Sequence, residues 1–240
     1  MGRGGRRLPA MADEALTAVI LAGGRGEARD LLLEHQLRWL RDAGIESVVL
    51  CLRHKADEVR ARFGDGSSCG VKLRYCVEEE PLGSAGTVKS LGAASLPEDI
   101  LVLHGDLYAD GDIRAMLKAH RERGAAATLA VHDCPGRKGH AGCPRVALGP
   151  SRAVVDFPES APAGRATALS PLWVINRALL HLVAEGGPSD FVRDVLPSAL
   201  RRGEAVFAHP IGGLLFDVES SEDYAALLKR LGAGRKEGKA

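Results

Sequence analysis

The stretch TAVILAGG, residues 17–24, constrains the fold more than any other part of the chain. A short, almost unbroken apolar run ending in glycine is the pattern of a strand buried on both faces of a parallel sheet. Behind it, LLLEHQLRWLRDAG sets Leu33, Leu37 and Leu40 on one helical stripe, with Gly44 placed to cap the end. A buried strand, a glycine turn and an amphipathic helix make the opening of an α/β unit. The same texture then repeats. ESVVLCL reads as a second buried strand and ADEVRARFG as a second helix; VKLRYCVEE, SAGTVKSLGAAS and DILVLHGD follow as strand, short helix and strand. DIRAMLKAHRERG and AAATLAVHD add a further helix and strand. The expected fold is therefore α/β, a doubly wound and mainly parallel sheet with right-handed connections.

Ligands in such sheets bind beyond the carboxyl ends of the strands, here Gly23 and Gly24, the acidic run Glu78 to Glu80, and Asp106. From Cys134 to Pro171 the chain is rich in Gly, Pro and Arg, which reads as hairpins and loops over that ligand face. Beyond it, PLWVINRALLHLVAEG predicts a strand and a helix, DFVRDVLPSALRRG a helix, and AVFAHP and GLLFDV strands. SSEDYAALLKRLG predicts a closing helix with a capping box at Ser220 or Ser221. One domain over 15–231 is expected, with disordered tails at 1–14 and 232–240.

Composition removes several function classes. The net charge of +1 argues against a nucleic-acid binder, and no apolar run of about 18 residues offers a membrane span. No apolar segment follows Arg3, Arg6 and Arg7, so no secretory leader is expected, and five cysteines without a CxxC pair suit a reducing cytoplasm. The run HDCPGRKGHAGC collects two His and two Cys, yet its spacing matches no standard zinc finger, and solvated loop residues are the expected reading.

The turn LAGGRG fits neither GxGxxG nor a Walker loop, but on mechanism it is a phosphate cradle, since glycines admit close approach and the helix start offers free N–H donors. Asp106 and Asp217 each close a strand. Together they could share a divalent ion; separately each could cap a turn. In VEEEPLGSAGTV an acidic side chain beside backbone opened by Gly83 can read a base edge or a ribose hydroxyl, although a solvated acidic loop explains the same letters. Trp39 and Trp173 fit core packing, and His35, His54, His104 and His209 have no partner in sequence.

Taken in order, AVILAGGRG, LLEHQLRWLRDAGI, EEEPLGSAGTV, LVLHGD and FDVESSEDY resemble the sugar-1-phosphate nucleotidyltransferases, especially their mannose-1-phosphate guanylyltransferase-like branch. The resemblance covers about residues 17 to 230. It implies a Rossmann-like, GT-A-type domain in the cytoplasm that transfers a nucleotide from an NTP to a sugar 1-phosphate, releasing pyrophosphate, with Mg²⁺ as cofactor. By position it implies Leu21, Ala22, Gly23, Gly24, Glu78, Pro81 and Gly83 as nucleotide-binding residues, Asp106 and Asp217 as metal ligands, and Glu159 as a sugar contact. A homo-oligomer or a pairing with a paralogous subunit is compatible with it.

The chain departs from that family on its cationic side. About twenty residues of the loop G-x-G-T-R-L…P-K-P are missing, so that the triphosphate arginine falls on Ala28 and the lysine has no counterpart. Ser160 replaces a second lysine, and Ser170 and Pro171 stand in the usual N-A-G-x-Y. Arg25 and Arg29 are the expected substitutes. The alternative is a catalytically impaired relative that binds nucleotide or NDP-sugar in a regulatory or structural role.

Overall fold

The computed structural model describes residues 16–24, 29–132, 144–158, 167–218 and 220–237. Its strands are β1 (Thr17–Ala22), β2 (Ser47–Leu52), β3 (Lys72–Val77), β4 (Asp99–His104), β5 (Leu107–Ala109), β6 (Ala127–His132), β7 (Arg145–Leu148), β8 (Val154–Asp156), β9 (Thr167–Asn176), β10 (Val206–Pro210) and β11 (Leu215–Asp217). The main path of the large sheet runs β10-β6-β9-β4-β1-β2-β3. The helices that place the site are α1 (Arg29–Asp42), α2 (Ala56–Phe63), α3 (Gly83–Ser90), α4 (Ile113–Glu122), α5 (Leu196–Arg201) and α6 (Ser221–Glu237).

The fold is Rossmann-like and mostly parallel, as the sequence pattern predicts. The chain starts in the middle, winds outward through β2 and β3, then returns to lay β4 against the other side of β1. That reversal between β1 and β4 is the topological switch point where such sheets open a crevice. β9 departs from the parallel pattern, running antiparallel to both β4 and β6 and separating them. Its ten residues are apolar enough to fill the centre of the sheet. Pro171, which has no N–H to give a ladder, lies where the β6–β9 register slips, between the pairs Val131↔Leu169 and Leu129↔Trp173.

Each face of the sheet carries its own core. Val19, Val102, Trp173 and Phe191 pack on one side under α3 and α5. Ile20 and Leu103 pack on the other against the stripe Leu33, Leu37 and Leu40 of α1, all fully buried. Gly44 takes φ +83°, as its capping role requires. A smaller cluster of Leu32, Tyr108, Phe216, Val218 and Leu227 fixes α6 over the two-stranded ladder β5–β11. The capping box is present: Ser220 Oγ accepts from the Asp223 amide, and the Asp223 carboxylate accepts from the Ser220 amide, both at 3.1 Å. α6 runs on to Glu237, past the boundary expected at 231, because Ala, Arg, Lys and Glu carry it across isolated glycines. The tail 1–14 and residues 238–240 lie outside the described residues. No helix among the described residues is long and apolar enough to cross a membrane.

Candidate active site

The switch point is built around two close backbone approaches. Gly105 donates its amide to the Leu21 carbonyl at 2.9 Å, extending the β1–β4 ladder beyond the strand ends. A Cβ on Gly105 would meet the Ala22 Cβ at 2.8 Å, so only glycine fits there. The glycine turn and Asp106 are thereby held side by side. A Cβ on Gly24 would meet no atom of the described residues within 4 Å.

The turn that presents Asp106 is clamped from below. Gln36, fully buried in α1, donates to the carbonyls of His104 at 2.8 Å and Leu107 at 2.6 Å, one on each side of Gly105 and Asp106. Asp106 itself is exposed. The chain then enters β5, which pairs antiparallel with β11 so that Leu107 lies opposite Asp217. The Val218 amide donates to the Asp106 carbonyl at 2.9 Å. Two aspartates far apart in sequence are thus brought onto one ladder beside the glycine turn.

The acidic arm sits on the β3 side. The Glu78 amide donates to the Leu52 carbonyl at 2.9 Å, and its carboxylate accepts a short hydrogen bond from the Thr87 hydroxyl of α3. Pro81 is exposed, ahead of the Gly83 turn. Gly83 has φ +74°, and a Cβ there would meet the Ser189 carbonyl oxygen at 2.4 Å. The Ala85 and Gly86 amides also donate to that carbonyl, at 2.9 and 3.0 Å. Gly83 is therefore demanded by the backbone of Ser189 lying against α3, a packing reason that sequence reasoning does not reach.

Two further residues belong here. Arg53, just past the end of β2, is exposed, and its Cβ lies 3.8 Å from where a Cβ on Gly23 would stand, so its side chain starts beside the glycine turn. His104 ends β4 with its ring edge-on to Trp173 at 5.5 Å, and its Nε2 is buried with no hydrogen-bond partner among the described residues. Burial lowers its pKa, against the opposing fields of Asp106 and Asp190. Asp190 in turn accepts from Ser84 Oγ of α3 at 2.6 Å, so the histidine stands between the acidic turn and the start of α3. Its sequence position, two before Asp106, was the available signal. His35 and Trp39 are structural: His35 donates to the Ala109 carbonyl at 2.7 Å and stacks on Tyr108 at 4.2 Å, and the Trp39 indole donates to the Gly111 carbonyl at 2.9 Å.

Arg25 and Glu159 lie outside the described residues, and of Arg29 only the backbone, the first residue of α1, is described. Cys134, His140 and Cys143 of the His/Cys run also lie outside, and His132 is hydrogen-bonded to Ser170 Oγ at 2.8 Å.

Residues 26–224 match the sequence profile of the family described as nucleotidyl transferase. The chain belongs to the nucleotidyl transferase family. The profile match begins at Gly26, just past the glycine turn. Among relatives of this nucleotidyl transferase chain is the mannose-1-phosphate guanylyltransferase of Mycobacterium tuberculosis, 26% identical over 231 residues, covering 89% of this chain and 64% of that protein. Another is the D-glycero-alpha-D-manno-heptose 1-phosphate guanylyltransferase of Aneurinibacillus thermoaerophilus, 29% identical over 132 residues, covering 48% and 57%. The chain spans 64% of the length of the first of these relatives. A crystal structure of HddC from Yersinia pseudotuberculosis complexed with GMP-PN has the same fold, with a TM-score of 0.72 over 90% of this chain and 99% of that one, at 18% identity.

Proposed function

We propose that this nucleotidyl transferase chain joins a nucleotide from an NTP to a sugar 1-phosphate, giving an NDP-sugar and pyrophosphate. The observation that carries the reading is the β5–β11 ladder, which sets Asp217 beside the turn holding Asp106, next to the open glycine turn at the β1/β4 switch point. The relatives' names supply the reaction class, and the guanylyltransferases among them make GTP the first nucleotide to try.

Two carboxylates on one ladder fit a hard divalent cation such as Mg²⁺, which takes oxygen ligands and keeps sites open for phosphate and water. Among the described residues no group of three or more His, Cys, Asp and Glu is placed to hold a metal by itself. When bound, such an ion supplies charge neutralisation at the phosphate oxygens. In this reading Asp106 and Asp217 hold it, and Gln36 keeps the Asp106 turn from moving. Leu21, Ala22, Gly23 and Gly24 offer backbone to the phosphates. Glu78, oriented by Thr87, receives the base or ribose donors near Pro81 and Gly83. Glu159 is assigned the sugar contact by its position in the sequence alone.

Transfer also needs cationic side chains to hold a triphosphate in line for attack by the sugar phosphate oxygen. Arg25 and Arg29 bracket the shortened loop, and Arg53 supports the assignment from the β2 side. Each such contact is worth about 3 to 4 kcal/mol in a preorganised site, which makes the replacement of the missing lysine the decisive chemical question.

The test is pyrophosphate release from the purified chain with Mg²⁺, each NTP in turn and a panel of sugar 1-phosphates led by mannose, with Asp106→Ala as blank. Release above the blank is expected with GTP. No release with any pair, alongside retained NDP-sugar binding, would replace this reading with that of a binding relative.

A further inference from the structure

Cys51 and Cys76 occupy the same place in neighbouring strands, each one residue short of its strand end, and the parallel β2–β3 register sets them directly opposite each other. Both are free thiols, and both face the core under α3. Cys69, also free, packs in the core on the opposite face and cannot reach them. Neighbouring strands lie about 4.7–4.9 Å apart, within the Cα separation that a disulfide spans.

Cys51 is 3% exposed, while Cys76 is only half-buried. Its pairing with the Cys51 thiol brings the Cys76 thiol down to about 7, while Cys51 is held well above its ordinary value. Glu78 opposes ionisation of both from two residues beyond Cys76. A half-buried thiol of lowered pKa, set directly opposite a buried one on the next strand, is the arrangement of an attacking and a resolving cysteine.

We propose that Cys51 and Cys76 form a modification site for hydroperoxides, in which Cys76 attacks and Cys51 resolves to a cross-strand disulfide. The Cys76 thiolate displaces hydroxide from the peroxide oxygen, giving a sulfenic acid. The Cys51 sulfur then bonds to the Cys76 sulfur, and the sulfenic oxygen leaves as water with the Cys51 proton. The peroxide is reduced by two electrons and the dithiol oxidised by two.

The disulfide would act on the site through one rung of the ladder. The next backbone bond after the pair runs from the Glu78 amide to the Leu52 carbonyl, each one or two residues from a cysteine, and Glu78 is hydrogen-bonded to Thr87 of α3. Drawing β2 and β3 together at Cys51 and Cys76 shifts Glu78 against α3. This consequence rests on the nucleotide reading above; the thiol chemistry does not.

The reduced full-length chain is treated with a small excess of hydrogen peroxide, alkylated, and digested without reductant. A linked Cys51–Cys76 peptide is expected, with loss of both thiols and their recovery on addition of dithiothreitol. With Cys51→Ala, Cys76 is expected to stop at a sulfenic acid trapped by dimedone. Cys76 overoxidised while Cys51 stays reduced in the unaltered chain, or Cys76 linked instead to Cys134 or Cys143, would overturn the proposal. For the coupling, the oxidised chain is expected to bind GTP about tenfold more weakly than the reduced chain. A disulfide that forms and leaves GTP affinity unchanged would overturn the link to Glu78 alone; no GTP binding by the reduced chain would count against the nucleotide reading instead.

Discussion

The Val218 amide donates to the Asp106 carbonyl at 2.9 Å, and this bond ties the Asp106 turn to the ladder that carries Asp217. If Asp106 and Asp217 hold a single ion, their removal is not additive. Asp106→Ala and Asp217→Ala are each expected to lower kcat by about a hundred- to a thousand-fold, with the double variant little worse than either single one. Steady-state pyrophosphate release across a Mg²⁺ titration reads this, and multiplicative losses would separate the two roles.

Gln36 is expected to act through the Asp106 turn rather than on substrate. Its side chain holds the carbonyls of His104 and Leu107, and replacement by Met, of similar size, leaves both without that donor in a buried place. Such a change typically costs about 1 to 3 kcal/mol for each group left unmade. Gln36→Met is expected to lower Tm and to weaken Mn²⁺ binding, followed by paramagnetic relaxation, by about tenfold or more. A lowered Tm with unchanged Mn²⁺ affinity would mark it as structural only.

Arg53 is exposed beside the glycine turn, so its removal should leave the fold alone. Arg53→Ala is expected to keep Tm within about a degree, as exposed substitutions do, and to lower kcat/KM for the NTP by about ten- to a hundred-fold. An unchanged kcat/KM would return the cationic role wholly to Arg25 and Arg29.

Gly83 and Gly24 should respond oppositely. Gly83→Ala places a Cβ against the Ser189 carbonyl at φ +74°, and a loss of about 1 to 3 kcal/mol in stability is expected from urea unfolding. Gly24→Ala meets no atom of the described residues within 4 Å, so stability is expected to hold while nucleotide affinity falls.

Away from the site, Asp99 accepts from His120 Nε2 at 3.3 Å, with Arg121 beside it. The His120 hydrogen bond is the main cause holding the Asp99 carboxyl below its ordinary value. A depressed folded value contributes stability above the unfolded pKa of about 3.9, and that stability is lost as pH falls through the lower folded value. Asp99→Asn is expected to have the lower urea midpoint at pH 7, with the difference shrinking below about pH 4. A pH-independent gap would assign the effect to packing.

The alternation of strand and helix, the glycine turn and the α6 capping box were legible in the sequence because each is local: hydrophobic period, glycine placement and caps act within a few residues. The order of motifs likewise determined the family. Neighbourhood across the sheet was decided by the tertiary structure. That β9 enters antiparallel between β4 and β6, that Asp217 stands on the ladder of Asp106, that Ser189 demands Gly83 and that Cys51 faces Cys76 all follow from which buried strand and helix faces pack together. A strand's composition states that it is buried; its partner and direction depend on apolar surfaces distant in sequence, which only the assembled core brings into contact.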